Sequence, residues 1–419
     1  MLNCIKKIFN KNKANESWTV LIYANGNNEL EPEIYSEFLK IESNITNDNI
    51  KVLTQLARAP QDLVKLLRPS IVKNTDDWNG VRRYKTTSNG VELIEDLGNR
   101  NMADPYTLHD FIVWGMESYP SNNTMLILSG HGAGFAGVMT DFANGHQFIM
   151  PMRGLTSAIY NSKKDTKRDI DYVLLDSCYM NMIEVWHELA SIPNQPIRSL
   201  LAPTKNIPIK GISYHTILKN LQTLEDTIEI YNNVEKDKLL VVKLNKKKFE
   251  KLKKSIDKFV LKYIDKDNNF IEHTRKELEE PIINILYLET LFNKTGFQEV
   301  SSHLKDIIGY SNVIEYKNSL EEGPSLYLPT NLKRYLPVKK YYRETLFSNE
   351  NRWLNIIENK CTKNYYDNSY TEKSYEKMTS PIIVPIESVI SVILEQNPEL
   401  SANDAYEIVT HLSYKHSIY

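Results

Sequence analysis

Two short blocks of the chain hold residues that could do covalent chemistry. Ser129-Gly130-His131-Gly132-Ala133-Gly134 follows the apolar run Thr124–Leu128, and Asp176-Ser177-Cys178-Tyr179-Met180-Asn181 follows the largely apolar run Ile170–Leu175. A cysteine and a histidine at consecutive strand ends suit nucleophilic acyl transfer, in which a thiolate attacks a carbonyl and an imidazole takes and returns the proton. The glycines around His131 let a substrate backbone approach closely, and the Gly132 amide is a candidate donor to an oxyanion. The pattern also predicts a helix over Met180–Ala190, which places Cys178 one residue ahead of a helix N-terminus, where thiol pKa values fall.

Competing chemistries fit these residues less well. Gly132–Gly137 matches G-x-G-x-x-G, but a turn at Asn144-Gly145 follows in place of a helix, and no acidic residue lies between Asp141 and Asp165, so a dinucleotide fingerprint is excluded. A phosphatase loop needs arginine where Glu184 stands, and His187-Glu188 lacks the second histidine of H-E-x-x-H. His187 and His109 read as packing or helix-surface histidines. The remaining cysteines, Cys4 and Cys361, have no close partner, which excludes a disulfide framework and a zinc knuckle. No metal site or required cofactor is expected, and no D-x-D-x-D-G loop marks calcium.

Positioning the two blocks requires strands that end at one edge. The 419 residues correspond to two or three units, or one large unit with an appendage, at roughly 150 residues per domain. Hydrophobic residues at 41 % and charged residues at 25 % are ordinary for a globular protein. Trp18–Ala24, Ile50–Leu56, Thr124–Leu128, Ile170–Leu175 and Ile197–Ala202 read as strands. Helices are predicted over Glu29–Ile41, Asp104–Tyr119 with Pro105 in its first turn, and Arg153–Asn161. Short apolar strands alternating with helices imply βαβ units, a mostly parallel sheet and a three-layer α/β sandwich. Ligands bind such sheets outside the carboxyl ends of the strands, where His131 and Cys178 would emerge. Phe135–Ile149 breaks the alternation and reads as a hairpin turning at Asn144-Gly145.

Beyond residue 205, Leu239–Leu244 reads as a strand, Asn245–Tyr263 as a lysine-rich amphipathic helix with a solvated charged face, and Ser325–Leu328 as a strand. Residues 361–379 read as a polar linker, and Pro385–Gln396 and Ser401–Ser413 as helices of a small appendage. Lys and Arg number 51 against 53 Asp and Glu, which lacks the basic surplus of a nucleic-acid binder. No stretch approaches the ~20 apolar residues of a membrane span. The start, MLNCIKKIFNKNKANES, lacks the apolar core of about 7–15 residues that marks a secretory signal, so a reducing, cytoplasmic setting is expected.

Several segments together resemble the clostripain family of cysteine endopeptidases, within the caspase, legumain and gingipain group. They are WTVLIYANGNNELE, RRY at Arg82–Tyr84, NMADPYTLHDFIVWG at Asn101–Gly115, LILSGHGAG at Leu126–Gly134, VLLDSCYMNMIEVWHEL at Val173–Leu189, KGISYHTIL at Lys210–Leu218, LLVVKLNKKKFEKL at Leu239–Leu252, and SLYLPT with FSNENRW ending at Trp353. The resemblance covers about residues 17–358. It implies a caspase-like three-layer αβα sandwich over 17–360, with the catalytic sheet about 17–225 and a family-specific part about 226–360. A tail at 1–16 precedes it, and the linker and a helical extension at 380–419 follow.

The resemblance further implies His131 and Cys178 as the catalytic dyad and the amides of Gly132 and Cys178 as the oxyanion hole. It implies cleavage of protein or peptide substrates after Arg or Lys, with Asp176 and Asn206 at the S1 pocket. The segment Pro203–Pro208 departs from the pattern by carrying no acidic residue and a lysine, Lys205, and Asn27 stands where aspartate is common. Many relatives are zymogens that cut themselves between the catalytic histidine and cysteine. The basic residues available for this are Arg153, Lys163, Lys164, Lys167 and Arg168, and calcium dependence varies among relatives. The alternative is a protease-derived regulatory or binding protein that keeps the fold with little or no peptidase activity. Residues 380–419 are a candidate docking site for a regulatory protein, or else a cap packed on the catalytic unit.

Overall fold

The computed structural model describes residues 17–41, 49–70, 78–143, 146–219, 221, 228, 232, 238–264, 270–292, 298–310, 318–358 and 371–407. In chain order the strands are β1 (Trp18–Gly26), β2 (Ile50–Arg58), β3 (Gly80–Thr87), β4 (Gly90–Gly98), β5 (Asn123–Ser129), β6 (Val138–Ala143) and β7 (His146–Met150). They continue with β8 (Ile170–Asp176), β9 (Ile197–Pro203), β10 (Leu239–Lys243), β11 (Ile282–Asn284), β12 (Ile308–Tyr310), β13 (Ser325–Tyr327) and β14 (Ile382–Ile383). The helices nearest the site are α1 (Glu31–Ile41), α2 (Gln61–Leu67), α3 (Pro105–Ser118), α4 (Met152–Thr166), α5 (Ile183–Ala190), α6 (Tyr214–Lys219) and α7 (Lys246–Ile264).

Nine strands make one sheet in the order β12-β10-β9-β8-β5-β1-β2-β3-β4. The five central strands are parallel, as the fully apolar runs predict, and antiparallel strands complete both edges. Alternate residues of each central strand enter opposite cores. Leu21, Tyr23, Leu126, Leu128, Val173 and Leu175 pack with α3, α4 and α5 on one face. Val20, Ile22, Met125, Ile127 and Leu174 pack with α1 and α6 on the other. Each fully buried aliphatic side chain of this kind is worth about 1.5–3 kcal/mol, which fixes the register, because a slip of one residue would exchange the two faces.

That register sets the functional edge. Ala24 lies opposite Ser129, and Ser129 lies opposite Asp176, so β5 and β8 end level, β1 runs two residues further, and the three release their loops side by side. Helix α3 starts as expected, with Asp104 accepting from the Tyr106 amide and Pro105 in the first turn.

Some expectations are corrected. The helix after Cys178 begins at Ile183, not Met180, because Asn181 and Met182 are drawn into contacts with Ser325. The helix expected at Arg153–Asn161 runs from Met152 to Thr166. The β3–β4 hairpin escaped the sequence pattern, since β4 is mostly solvated on both faces. The sheet takes β10 and β12 from beyond residue 226. In α7 one lysine of the charged face, Lys253, is buried against Glu250 and Glu350.

Nor do residues 371–407 stand apart as linker and appendage. Tyr375 is buried against Tyr160. Strand β14 pairs with β7, and Ile393 and Ala405 share an apolar cluster with Ala59, Leu63, Val64 and Leu67. This segment is a cap on the catalytic unit. Cys4, Cys361, the turn at Asn144-Gly145 and the end of the helix expected to Ser413 lie outside the described residues.

Candidate active site

The histidine loop leaves β5 through Gly130, whose φ of 153° and whose N–H, donating to the Asp176 carbonyl at 3.2 Å, turn the chain toward β8. The carbonyl of His131 then accepts from the Met139 amide at 2.8 Å, and Gly132 bridges to Val138, which pins the loop to β6. Gly132 presses on the cysteine loop. A Cβ added there would lie 2.4 Å from the Cys178 carbonyl oxygen and 2.9 Å from Ser177 Cβ, so only glycine allows the two loops to meet.

The cysteine turn is held from several directions. Tyr179 takes a left-handed φ of 61°, and its amide donates to Asn206 Oδ1 at 3.0 Å. Its hydroxyl donates to Glu280. The Asn181 amide side chain donates to the carbonyls of Thr204, 3.2 Å, and Gly323, 2.9 Å. Because α5 starts five residues past Cys178, its N-terminus does not reach the sulfur. Burial pushes the Cys178 thiol above its ordinary pKa; the Ile207 carbonyl, 3.6 Å from Sγ, opposes this, and the charges of Asp176 and Glu280 add to it. Lowering of the thiol by a helix start, expected from the sequence, is therefore not realised.

His131 and Cys178 line one cleft of about 240 Å³, walled by Glu29, Glu33 and Glu37 on one side and by Ile207–Gly211 on the other. Asp176 forms part of its base and is only 6 % exposed. Its carboxyl accepts from Ser129 Oγ at 3.1 Å, the Ile212 amide at 3.0 Å and the Tyr214 hydroxyl. Burial outweighs these donors and pushes its pKa up to about 6. Asn206 braces the Tyr179 backbone and is not among the residues lining the cleft. Lys205 also stands outside the cleft, 4.0 Å from Glu322.

The glutamates were missed because charges spaced four apart look like the solvated face of a helix. The available signal was that the same face opens at the carboxyl end of β1, beside the histidine strand. Glu33 pairs with Arg68 at 2.7 Å, and Glu37 accepts from the Tyr214 amide at 3.1 Å. Glu29 Oε1 lies 2.8 Å from His131 Nε2. Burial raises the Glu29 pKa, but contact with His131 and its charge overcome this and leave it below the ordinary value.

None of the five basic residues between the two blocks lines this cleft. Arg153 opens α4 and donates to the Ser374 carbonyl at 3.3 Å. Lys163 and Lys164 occupy the last turn of α4, paired with Asp169 and Glu376, where cleavage would require the helix to unwind. Lys167, left-handed at φ 58°, and Arg168 lie in the following turn. Among the described residues, His187, Glu250 and Glu350 could ligate a metal, but Lys253 lies between the two glutamates and already supplies the positive charge. His187 packs against Phe249 and Phe347, and His109 pairs with Asp165 at 2.9 Å on the surface.

A family model described as the clostripain family, Peptidase C11, matches residues 22–407, and so includes the C-terminal cap. Among solved structures, an inactive zymogen C11 protease from Parabacteroides distasonis is 17 % identical, with a TM-score of 0.58 over 80 % of this chain and 98 % of its own. A secreted C11 cysteine protease from Bacteroides thetaiotaomicron, in complex with an irreversible peptide inhibitor, is 16 % identical with a TM-score of 0.58 over 80 % of this chain and 99 % of its own. These likenesses establish the caspase-like fold. No curated protein sequence matches the chain.

Proposed function

The chain belongs to the clostripain family and is a cysteine endopeptidase, and from that premise we propose that Cys178 and His131 form its catalytic dyad and that it cuts after Arg or Lys. A single contact carries the assignment: Gly132 touching Ser177 and Cys178, which sets the two chemical loops side by side in one acidic cleft. With its pKa raised, Cys178 rests as a thiol and gives its proton to His131 as it attacks the scissile carbonyl. Among the described residues the amides of Gly132 and Cys178 have no hydrogen-bond acceptor, which leaves both free to hold the oxyanion. His131 then protonates the leaving amine, and water releases the acyl group. Asp176 supplies the negative charge for a guanidinium or ammonium side chain, while Asn206 supports the nucleophile turn from behind.

Self-processing, if it follows the same chemistry, falls to Lys167 and Arg168, the two basic residues of the segment that lie past the end of α4. The scarcity of cysteines suits work in a reducing compartment. The test is hydrolysis of fluorogenic peptides with Arg, Lys or neutral P1 residues by wild type and Cys178→Ala, with N-terminal sequencing of both proteins. Loss of hydrolysis in the variant is expected. A variant as fast as wild type would overturn the dyad, and failure of an acyloxymethyl ketone probe to label Cys178 would favour a binding role.

A further inference from the structure

On the footing of the His131/Cys178 chemistry above, we propose that Glu29 is a positioning residue of the same apparatus, which fixes the tautomer of His131 and supports its charged form. His131 Nε2 is buried, and the Glu29 carboxylate stands 2.8 Å from it, off the line of the ring N–H. A bare ring nitrogen carries partial negative charge and would be repelled by a carboxylate at that distance whatever the angle, whereas an N–H is attracted, so Nε2 carries the proton. Nδ1 is then the nitrogen left to exchange a proton with Cys178. During attack one proton passes from Sγ to Nδ1, producing a thiolate and an imidazolium, and the Nε2 proton stays where it is.

The fold holds both partners on one strand. Met139 of β6 donates its amide to the His131 carbonyl at 2.8 Å, and the carbonyl of the next residue, Thr140, accepts from Asn28 Nδ2 at 2.9 Å, beside Glu29. Asn28 Oδ1 also accepts from the Leu30 amide at 2.9 Å, and Arg68 donates to the Glu29 carbonyl at 3.1 Å. Glu29 and His131 are therefore fixed relative to each other by backbone and amide contacts on both sides. The arrangement answers a chemical need, since α5 begins too far from Cys178 to stabilise a thiolate. The charge that stabilises it must come from imidazolium, and imidazolium is favoured by a neighbouring carboxylate.

Glu29→Gln, Glu29→Asp and wild type should be compared in kcat, KM and pH profile. The titratable and charged groups that share the cleft with His131 are Glu29, Glu33, Glu37, Asp176, Cys178 and Lys210. Of these, only Glu29 changes in the variant. Glu29→Gln is expected to lower kcat about 10²-fold with KM little altered. The alkaline limb of its kcat/KM profile should move about one unit to lower pH, because an imidazolium without its carboxylate gives up its proton sooner. Glu29→Asp should restore part of both effects. A purely structural role would reduce activity without moving the limb, and an unmoved limb in Glu29→Gln overturns the proposal while leaving the Cys178→Ala result intact. Long-range nitrogen-15 histidine spectra of wild type, assigned with His131→Ala, give a readout independent of turnover and of variant folding. An Nε2–H tautomer is expected, and an Nδ1–H tautomer at His131 would overturn the proposal even if no substrate were cleaved.

Discussion

Replacing Asp176 with asparagine separates what its carboxyl does for the fold from what it does for substrate. The group is buried, and its three donors do not prevent burial from raising its pKa from 3.8 to about 6. A raised acid pKa means that the folded state prefers the protonated form. Its contribution to stability is full below the ordinary value and is lost as pH rises through about 6. A shift of this size corresponds to about 3 kcal/mol. Asparagine keeps an oxygen for the Ile212 amide and turns its NH₂ toward the hydroxyls of Ser129 and Tyr214, both of which can accept. Wild type and Asp176→Asn should therefore unfold within about 1 kcal/mol of each other at pH 8, with wild type gaining about 2.5 kcal/mol on the variant by pH 4.

Urea unfolding of both proteins at unit steps of pH between these limits measures the difference directly. A difference that stays flat across the range would refute the reasoning, because it would mean that the carboxyl titrates as if exposed. The same variant reports on specificity. If Asp176 faces the P1 cation, the ratio of kcat/KM for Arg over a neutral P1 residue should fall about 10–100-fold, the worth of one charge-assisted hydrogen bond. An unchanged ratio would assign P1 selectivity to the α1 glutamates.

Gly132→Ala should force the histidine and cysteine loops apart, since its Cβ would meet the Cys178 carbonyl oxygen at 2.4 Å. An activity loss of at least about 10²-fold is expected, with a stability cost of about 1–3 kcal/mol; activity within tenfold of wild type would show that the loops need not touch. On the same linkage the whole chain should be most stable near pH 4 and lose stability from there to about pH 8. Burial raises the pKa values of Asp141 and Glu184 to about 7 and of Glu188 to about 8, so their contributions fade as pH rises through those values. In the other direction, burial would raise Glu350, but contacts with His187 and Lys253 hold it at about 2, so its contribution is present above the ordinary value near 4.5 and fades as pH falls toward 2. Thermal melts across pH 3–9 check this, and a maximum at pH 8 or above would contradict it.

The central sheet was legible because strands buried on both faces must be apolar through their centres, and β1, β5 and β8 are. Parallel pairing releases their loops at one edge, which is why sequence order alone brings His131 and Cys178 together there. Less was visible where distant contacts override local preference. Met180 to Met182 look helical, yet Asn181 and Met182 are drawn out to meet Ser325, and the displaced helix start changes the chemistry expected of Cys178. The β3–β4 hairpin hides behind charges that are partnered, with Arg83 buried between Gln55 and Trp114 and bonded to Asp110. Two residues of β14 were too short to register as a strand, although their pairing with β7 joins the C-terminal cap to the catalytic unit.

The acidity of the cleft shows the same division between local pattern and assembled site. The segment Pro203–Pro208 carries no acid, and from sequence that absence weakens the case for a basic P1 residue. In three dimensions the segment contributes Ile207 and Pro208 to the wall, while negative charge comes from α1 and from β8. These charges are not equivalent. Glu29 is committed to His131, Glu33 to Arg68, and Glu37 to the Tyr214 amide. Among the described residues Asp176 is bonded to uncharged donors and to no cation. An arriving guanidinium or ammonium would supply that cation and draw the Asp176 pKa down from about 6, so binding of a basic side chain should release a proton when measured near that pH.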